Sequence, residues 1–125
     1  MTPPARKRIL IVEDDEATRH LFGHYLEGED CEVFCAVDGR EGLQVAQAKL
    51  PDLVILDLML PEIHGIGVCL GLKKDPVTKR AKVLVVSVKG FPADRKQAAE
   101  AGADGFLAKP VNCQDFLTAV RDLLK

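Results

Sequence analysis

The chain has 125 residues, enough for one compact domain with a hydrophobic core and too few for a second domain of ordinary size. Its formal net charge of −2 gives no electrostatic basis for direct nucleic-acid binding, and its composition is that of an ordinary globular protein. No apolar run reaches the length of a membrane span and no signal peptide opens the chain, so we expect a cytoplasmic protein without membrane insertion.

The first half of the chain alternates short apolar runs with segments of helical periodicity. Residues 1–7, with two prolines, are expected to form a flexible lead-in. The second apolar run is mixed in polarity, which is typical of a strand at a sheet edge. The predicted strands are 9–12, 31–37 and 53–57, and the predicted helices are 16–27 and the segment between Asp38, a good N-cap, and Pro51.

The same alternation continues in the second half. A helix is predicted over residues 65–74, where Gly67 and Gly71 each cost about 1 kcal/mol relative to Ala. We therefore expect that helix to be short or loosely held. The remaining predictions are strands at 83–87 and 105–108, a helix from Pro92 to Ala101, and a strongly amphipathic last helix capped by Asn112.

Five strands, each followed by a helix, predict an α/β fold with a parallel sheet covered by helices on both faces. Because parallel crossovers are right-handed, few topologies remain. The doubly wound, flavodoxin-like order 2-1-3-4-5 places the first and third strands side by side at the switch point, where such sheets bind ligands.

Four cysteines occur without C-x-x-C spacing, in apolar surroundings. We expect reduced core thiols and no disulfide or zinc framework. They are Cys31, Cys35, Cys69 and Cys113.

Polar residues end four of the predicted strands: Glu13-Asp14, Asp57, Ser87 and Lys109. The carboxyl ends of parallel strands meet at one edge of the sheet, so three carboxylates, a hydroxyl and an ammonium should converge there. Crowded carboxylates raise one another's pKa unless a cation joins them, and Mg²⁺ prefers such oxygen ligands. These groups are what is needed to hold a phosphoryl group while a carboxylate attacks it.

Four motifs lie in order at successive strand ends: IVEDD, LDLMLP, VSVKG and GADGFLAKP. Together they resemble the receiver domain of two-component response regulators, the CheY-like superfamily. The resemblance runs from about Arg8 to Lys125, which implies a receiver domain over residues 8–125. Because the last helix ends at the end of the chain, we expect a receiver without an attached output domain.

The resemblance implies a role for each residue at the strand ends. Asp57 resembles the residue that accepts a phosphoryl group from the phosphohistidine of a sensor histidine kinase or a histidine phosphotransfer protein. Asp14 and Asp57 resemble direct Mg²⁺ ligands, joined by the main-chain carbonyl of Met59. Glu13 resembles the acid that acts on the metal through water.

The remaining motif residues resemble the switch of the family. Lys109 is similar to the lysine that contacts the phosphoryl group, and the bond before Pro110 is usually cis in the family. Ser87 stands where a Thr or Ser binds the phosphoryl oxygen, and Phe106 lies at the aromatic switch position. The implied output is binding to a downstream protein, or self-association, through the face of the fourth helix, fifth strand and fifth helix.

Three positions depart from the family pattern. Phe106 replaces the commoner Tyr and so lacks a hydroxyl. Val88 stands where a small residue is frequent, and its bulk is expected to narrow access to the phosphoryl group. His64 stands where an acidic residue is common. These departures concern rates and partners, not the class.

Two other functions compete with a phosphorylated receiver. A pseudo-receiver would bind partners without phosphorylation, and intact site residues leave that alternative open. An Asp-nucleophile phosphatase would carry a second Asp two residues after the first, where this chain has Met59; we therefore expect no enzyme beyond self-phosphotransfer and autodephosphorylation. His20 and His24 have a metal-binding spacing but no third ligand, so a solvated helix face is expected.

Overall fold

The structure is a computed structural model that describes residues 6–125. Strands and helices alternate along the chain as predicted. Residues 1–5 of the predicted lead-in lie outside the described residues, and its last residue, Lys7, already belongs to the first strand. The elements are β1 (Lys7–Val12), α1 (Glu16–Tyr25), β2 (Cys31–Ala36), α2 (Gly39–Lys49), β3 (Leu53–Leu56), α3 (Gly65–Lys74), β4 (Lys82–Ser87), α4 (Pro92–Glu100), β5 (Gly105–Ala108) and α5 (Cys113–Leu124).

The five strands form one parallel sheet in the order β2-β1-β3-β4-β5, which confirms the predicted topology and places β2 at an edge. In the register of the central pair, Val12 of β1 lies opposite Leu56 of β3. The residues that follow these two strands therefore emerge side by side at the same edge of the sheet. This register creates the switch-point crevice.

Helices cover both faces of the sheet because successive strand residues point to opposite sides. Ile9 and Ile11 of β1 pack in the core layer beneath α1 and α5, where the rings of Phe22 and Phe116 stack 4.9 Å apart. The core layer on the other face is formed with α2, α3 and α4. Its buried helix residues include Ala46, Val68, Leu72 and Ala98.

The expectation of a short or loose α3 is wrong. The helix has ten residues, as many as α1, and it buries Val68 and Leu72. A Cβ atom at Gly71 would lie 3.2 Å from the side chain of Leu43 in α2. The missing side chain thus permits close packing of α2 on α3, and this packing offsets the glycine's low helix propensity.

The expectation of four core thiols is half right. Cys31 and Cys69 are buried, and burial raises the pKa of the Cys69 thiol to about 11. Cys35 and Cys113 are exposed, because Cys35 lies on the edge strand and Cys113 opens α5. All four thiols are free. Within residues 6–125, no helix is long and apolar enough to span a membrane.

Candidate functional site

Two buried carboxyl groups lie at the carboxyl edge of the sheet, where β1 and β3 end. Glu13 is 1 % exposed and Asp57 is 8 % exposed. Their main-chain amides continue the sheet ladder: the Glu13 N–H donates to the Ala36 carbonyl at 3.0 Å, and the Asp57 N–H donates to the Val12 carbonyl at 3.2 Å. The backbone therefore fixes both side chains in one crevice.

Lys109 joins the two carboxylates. Its Nζ lies 2.5 Å from Glu13 Oε1 and 3.0 Å from Asp57 Oδ2. The lysine follows β5, and its main-chain N–H donates to the Ser87 carbonyl of β4 at 2.9 Å. The Lys109–Pro110 bond is cis, as the family resemblance implies.

Asp14 completes an acidic cluster. The Asp14 side chain is exposed. Glu13, Asp14 and Asp57 each contribute one carboxylate oxygen to a cluster in which these atoms lie within 4.8 Å of one another. Arg19 of α1 holds the connecting loop, since its Nη1 donates to the main-chain carbonyls of Glu13 and Asp14 at 2.9 and 3.0 Å. This arginine was not predicted from the sequence, because its role depends on how the loop folds back onto α1.

No second cluster of three such ligands occurs in residues 6–125. His20 and His24 are exposed on α1, and His24 Nδ1 lies 3.3 Å from Glu27 Oε2. The exposure of both histidines is consistent with the solvated helix face that we expected.

The two buried carboxyl groups have opposite pKa shifts. Burial, followed by hydrogen bonding with Asp57, raises the pKa of Glu13 to about 7, against the opposing effect of Lys109. Burial would also raise the pKa of Asp57, but hydrogen bonds with Glu13, from the Met59 N–H and from Lys109 hold it below its ordinary value. The same pairing raises the pKa of Lys109 in spite of its burial. Asp57 is therefore the carboxyl group of the pair that ionises at the lower pH.

The donor set of the crevice fits Mg²⁺. Glu13 Oε2 is buried and has no hydrogen-bond partner among residues 6–125. Three carboxyl groups face a single ammonium group, so a net charge of −2 remains when all are ionised, and one divalent cation would balance it. Hard carboxylate oxygens with access to water are the ligands that Mg²⁺ prefers.

Met59 and Ser87 lie next to these groups. The Met59 N–H donates to Asp57 Oδ1 at 3.0 Å, which orients the carboxylate, while the Met59 side chain is about half exposed. Ser87 is fully buried at the end of β4, and its Oγ accepts a hydrogen bond from the Lys89 N–H at 3.3 Å. Ser87 ends β4 as predicted, and Met59 lies in the loop after β3.

Phe106 lies in β5 with its ring half-buried beneath Arg95 of α4. The guanidinium carbon of Arg95 is 4.7 Å from the ring centroid, and its Nε donates to the Gly90 carbonyl at 3.2 Å. This arginine thus joins the loop after β4 to the aromatic ring. Arg95 was not predicted from the sequence, because a charged residue on a polar helix does not indicate a tertiary contact.

The loops that frame the crevice include two residues of note. Val88 is 64 % exposed and borders, with Lys109, an open groove of about 340 Å³ beside the crevice. Gly65 opens α3 against the backbone of the loop that follows β3: a Cβ there would lie 2.3 Å from the Asp57 carbonyl oxygen. The sequence showed Gly65 only as a helix start, although this close approach makes glycine necessary.

A doubly wound parallel sheet with an acidic crevice and one lysine at its carboxyl edge defines the class of CheY-like α/β signalling domains. The family model for the response regulator receiver domain matches residues 9–121. The chain therefore belongs to the response regulator receiver family. Members of this family bind Mg²⁺ in the active site, switch on phosphorylation, and interact with histidine kinases and downstream effectors.

Curated relatives match this chain over part of their own length. The DNA-binding dual master transcriptional regulator RpaA of Synechocystis is 41% identical over 118 residues, which cover 94% of this chain and 49% of the relative. Response regulator PleD of Caulobacter vibrioides is 39% identical over 118 residues, covering 94% of this chain and 26% of the relative. The chain thus spans about half, or less, of the length of these relatives.

Solved structures match this chain over almost their whole length. A putative response regulator from Chloroflexus aurantiacus is 33% identical with a TM-score of 0.90, and the match covers 96% of this chain and 98% of that one. Chemotaxis response regulator CheY4 of Vibrio cholerae is 28% identical with a TM-score of 0.90, covering 96% of this chain and 100% of that one.

Proposed function

We propose that the chain is a phosphorylation-driven receiver in which Asp57 accepts a phosphoryl group from the phosphohistidine of a sensor histidine kinase or a histidine phosphotransfer protein. The observation that carries the proposal is the position of the buried Asp57 carboxyl group, 3.0 Å from Lys109 Nζ at the edge of the sheet, where neighbouring donors hold its pKa below the ordinary value. We assign the receiver to residues 8–125 and place its reaction in the cytoplasm.

In the transfer, an Asp57 carboxylate oxygen attacks phosphorus while the P–N bond to the donor imidazole breaks, and the bonding electron pair returns to the imidazole. Lys109 Nζ is placed to bind a phosphoryl oxygen, and the Ser87 hydroxyl supplies a second donor. Asp14, Asp57 and the main-chain carbonyl of Met59 would hold Mg²⁺, with Glu13 acting through water. The ion would neutralise charge on the transferring group.

The phosphoryl group then changes the contacts of the switch residues. The Ser87 hydroxyl turns from the Lys89 N–H towards the phosphoryl oxygen, which moves the loop after β4. Since Arg95 joins that loop to the Phe106 ring, the movement reaches the face of α4, β5 and α5. We propose that this face binds a downstream protein or a second copy of the chain, without direct nucleic-acid contact.

Intact mass spectrometry tests the transfer. The full chain is incubated with a small acyl-phosphate donor, with Mg²⁺ or with excess chelator. We expect a gain of one phosphoryl mass that requires Mg²⁺ and is lost in Asp57→Asn. Asp115→Asn, an exposed aspartate of α5 outside the crevice, is the matched control and should be phosphorylated like the parent chain.

The pseudo-receiver alternative predicts a different result. A chain that takes no phosphoryl group and binds no beryllium fluoride would be a phosphorylation-independent interaction module. The phosphatase alternative predicts turnover of a phosphate monoester. We expect none, because Met59 stands where a general acid is needed to protonate the leaving alkoxide.

A further inference from the structure

A groove lies at the end of the sheet opposite Asp57. Its volume is about 150 Å³, and its lining residues come from the connections that lead into β3 and β4. The whole length of β3 separates the groove from the acidic crevice. We call it the lower groove; it is lined by Leu50, Pro51, Val77, Thr78 and Arg80.

The lining of the lower groove includes two half-exposed aliphatic side chains, Leu50 at 53 % and Val77 at 52 %. Leu50 ends α2 in the left-handed conformation, with φ 51°. Glycine is favoured at such a position, because a side chain there strains the backbone. Leu50 therefore adds strain and exposed apolar surface, so folding alone does not account for a leucine here.

The segment that contributes Val77, Thr78 and Arg80 to the lower groove is basic. Residues 73–82 contain five Lys or Arg and one Asp, a net charge of +4, so the rest of the chain carries −6. The one aspartate of this segment, Asp75, accepts hydrogen bonds from the Val77 N–H and Gln47. Four basic side chains are exposed and have no carboxylate oxygen within 4.0 Å among residues 6–125: Lys74, Lys79, Arg80 and Lys82.

We propose that the lower groove binds an acidic segment of a partner protein, with an aliphatic side chain on Leu50 and Val77 and carboxylates on Arg80 and its basic neighbours. Charge complementarity favours an acidic segment. The aliphatic lining favours a peptide over nucleic acid, since the lining residues include no aromatic ring on which bases could stack. Because the groove lies far from Asp57, the partner stays bound in both phosphorylation states.

Peptide selection tests this surface. A random peptide library displayed on phage is selected against the full chain, and the enriched peptides are synthesised and titrated by calorimetry. We expect acidic residues around one aliphatic residue. Leu50→Gly, which relieves the backbone strain, and Arg80→Glu should each weaken binding at least tenfold, whereas Leu21→Ala, at a half-exposed leucine elsewhere, should leave it unchanged.

Three results would overturn the proposal: enriched peptides that bind Leu50→Gly as tightly as the parent chain, peptides without acidic character, or tighter binding of a single-stranded oligonucleotide at the same salt concentration. Asp57→Asn should bind the peptides like the parent chain, and Leu50→Gly should still accept a phosphoryl group. The result is therefore independent of the function proposed for Asp57.

Discussion

Replacing Glu13 by Gln should raise the stability of the protein above pH 7 in Mg²⁺-free buffer. The pKa of Glu13 is raised from 4.5 to about 7 by burial and by the neighbouring Asp57. The stability that the protonated carboxyl contributes is fully present below pH 4.5 and is lost as the pH rises through about 7. At 1.36 kcal/mol per pKa unit, this loss is about 3 kcal/mol.

Urea unfolding of the parent chain and Glu13→Gln from pH 4.5 to pH 8, with chelator present, measures this difference. We expect similar stabilities at pH 4.5 and a variant more stable by about 3 kcal/mol at pH 8. Added Mg²⁺ should narrow the difference at pH 8, because a cation stabilises the ionised carboxylate. Glu16→Gln, at an exposed glutamate of α1, is the matched control. If the free energies of unfolding of the parent chain and Glu13→Gln changed in parallel between pH 4.5 and pH 8, the reasoning would be refuted.

Three further predictions concern the fold around the site. Gly23→Ala should stabilise the protein by about 0.5–1 kcal/mol, because a Cβ at this helical position meets nothing within 4 Å. Gly65→Ala should lower the free energy of unfolding by about 2 kcal/mol or more, because its Cβ would clash with the loop backbone that follows β3. Urea unfolding compares the two variants, and equal effects would contradict the geometry. Arg95→Ala should lower the free energy of unfolding by about 0.5–1 kcal/mol and shift the ring resonances of Phe106 in NMR spectra, because it removes the guanidinium group over the ring. Unchanged resonances would show that the ring contact is absent in solution. Asp38→Ala should lower the free energy of unfolding by about 1 kcal/mol, because it removes the N-cap of α2. Thermal unfolding measures the loss, and an unchanged midpoint temperature would rule out the cap.

Element types and strand order were predictable because the signals are local. The apolar runs of β1, β3 and β4 are short and continuous, and the amphipathic pattern of α5 is strong. Right-handed crossovers then leave few ways to order the strands. The convergence of Glu13, Asp57 and Lys109 follows from this order alone, since each residue ends or follows a parallel strand.

Features that depend on tertiary contact were not predictable. Helix propensity favoured a weak α3, but Gly71 lies where α2 packs against that helix. Arg19 and Arg95 read as surface charges, yet one holds the loop after β1 and the other covers Phe106. The exposure of Cys35 likewise follows from its place on the edge strand, which apolar sequence neighbours do not reveal.

The identity of the phosphorylated residue is the most direct test of the proposed function. Borohydride reduces an acyl phosphate to an alcohol, so treatment of the phosphorylated chain followed by peptide sequencing by mass spectrometry marks the residue that carried the phosphoryl group. We expect homoserine at position 57, formed only when Mg²⁺ and the phosphoryl donor are both present. Reduction at Glu13 or Asp14, or an unmodified Asp57 in a chain that has gained phosphoryl mass, would contradict it.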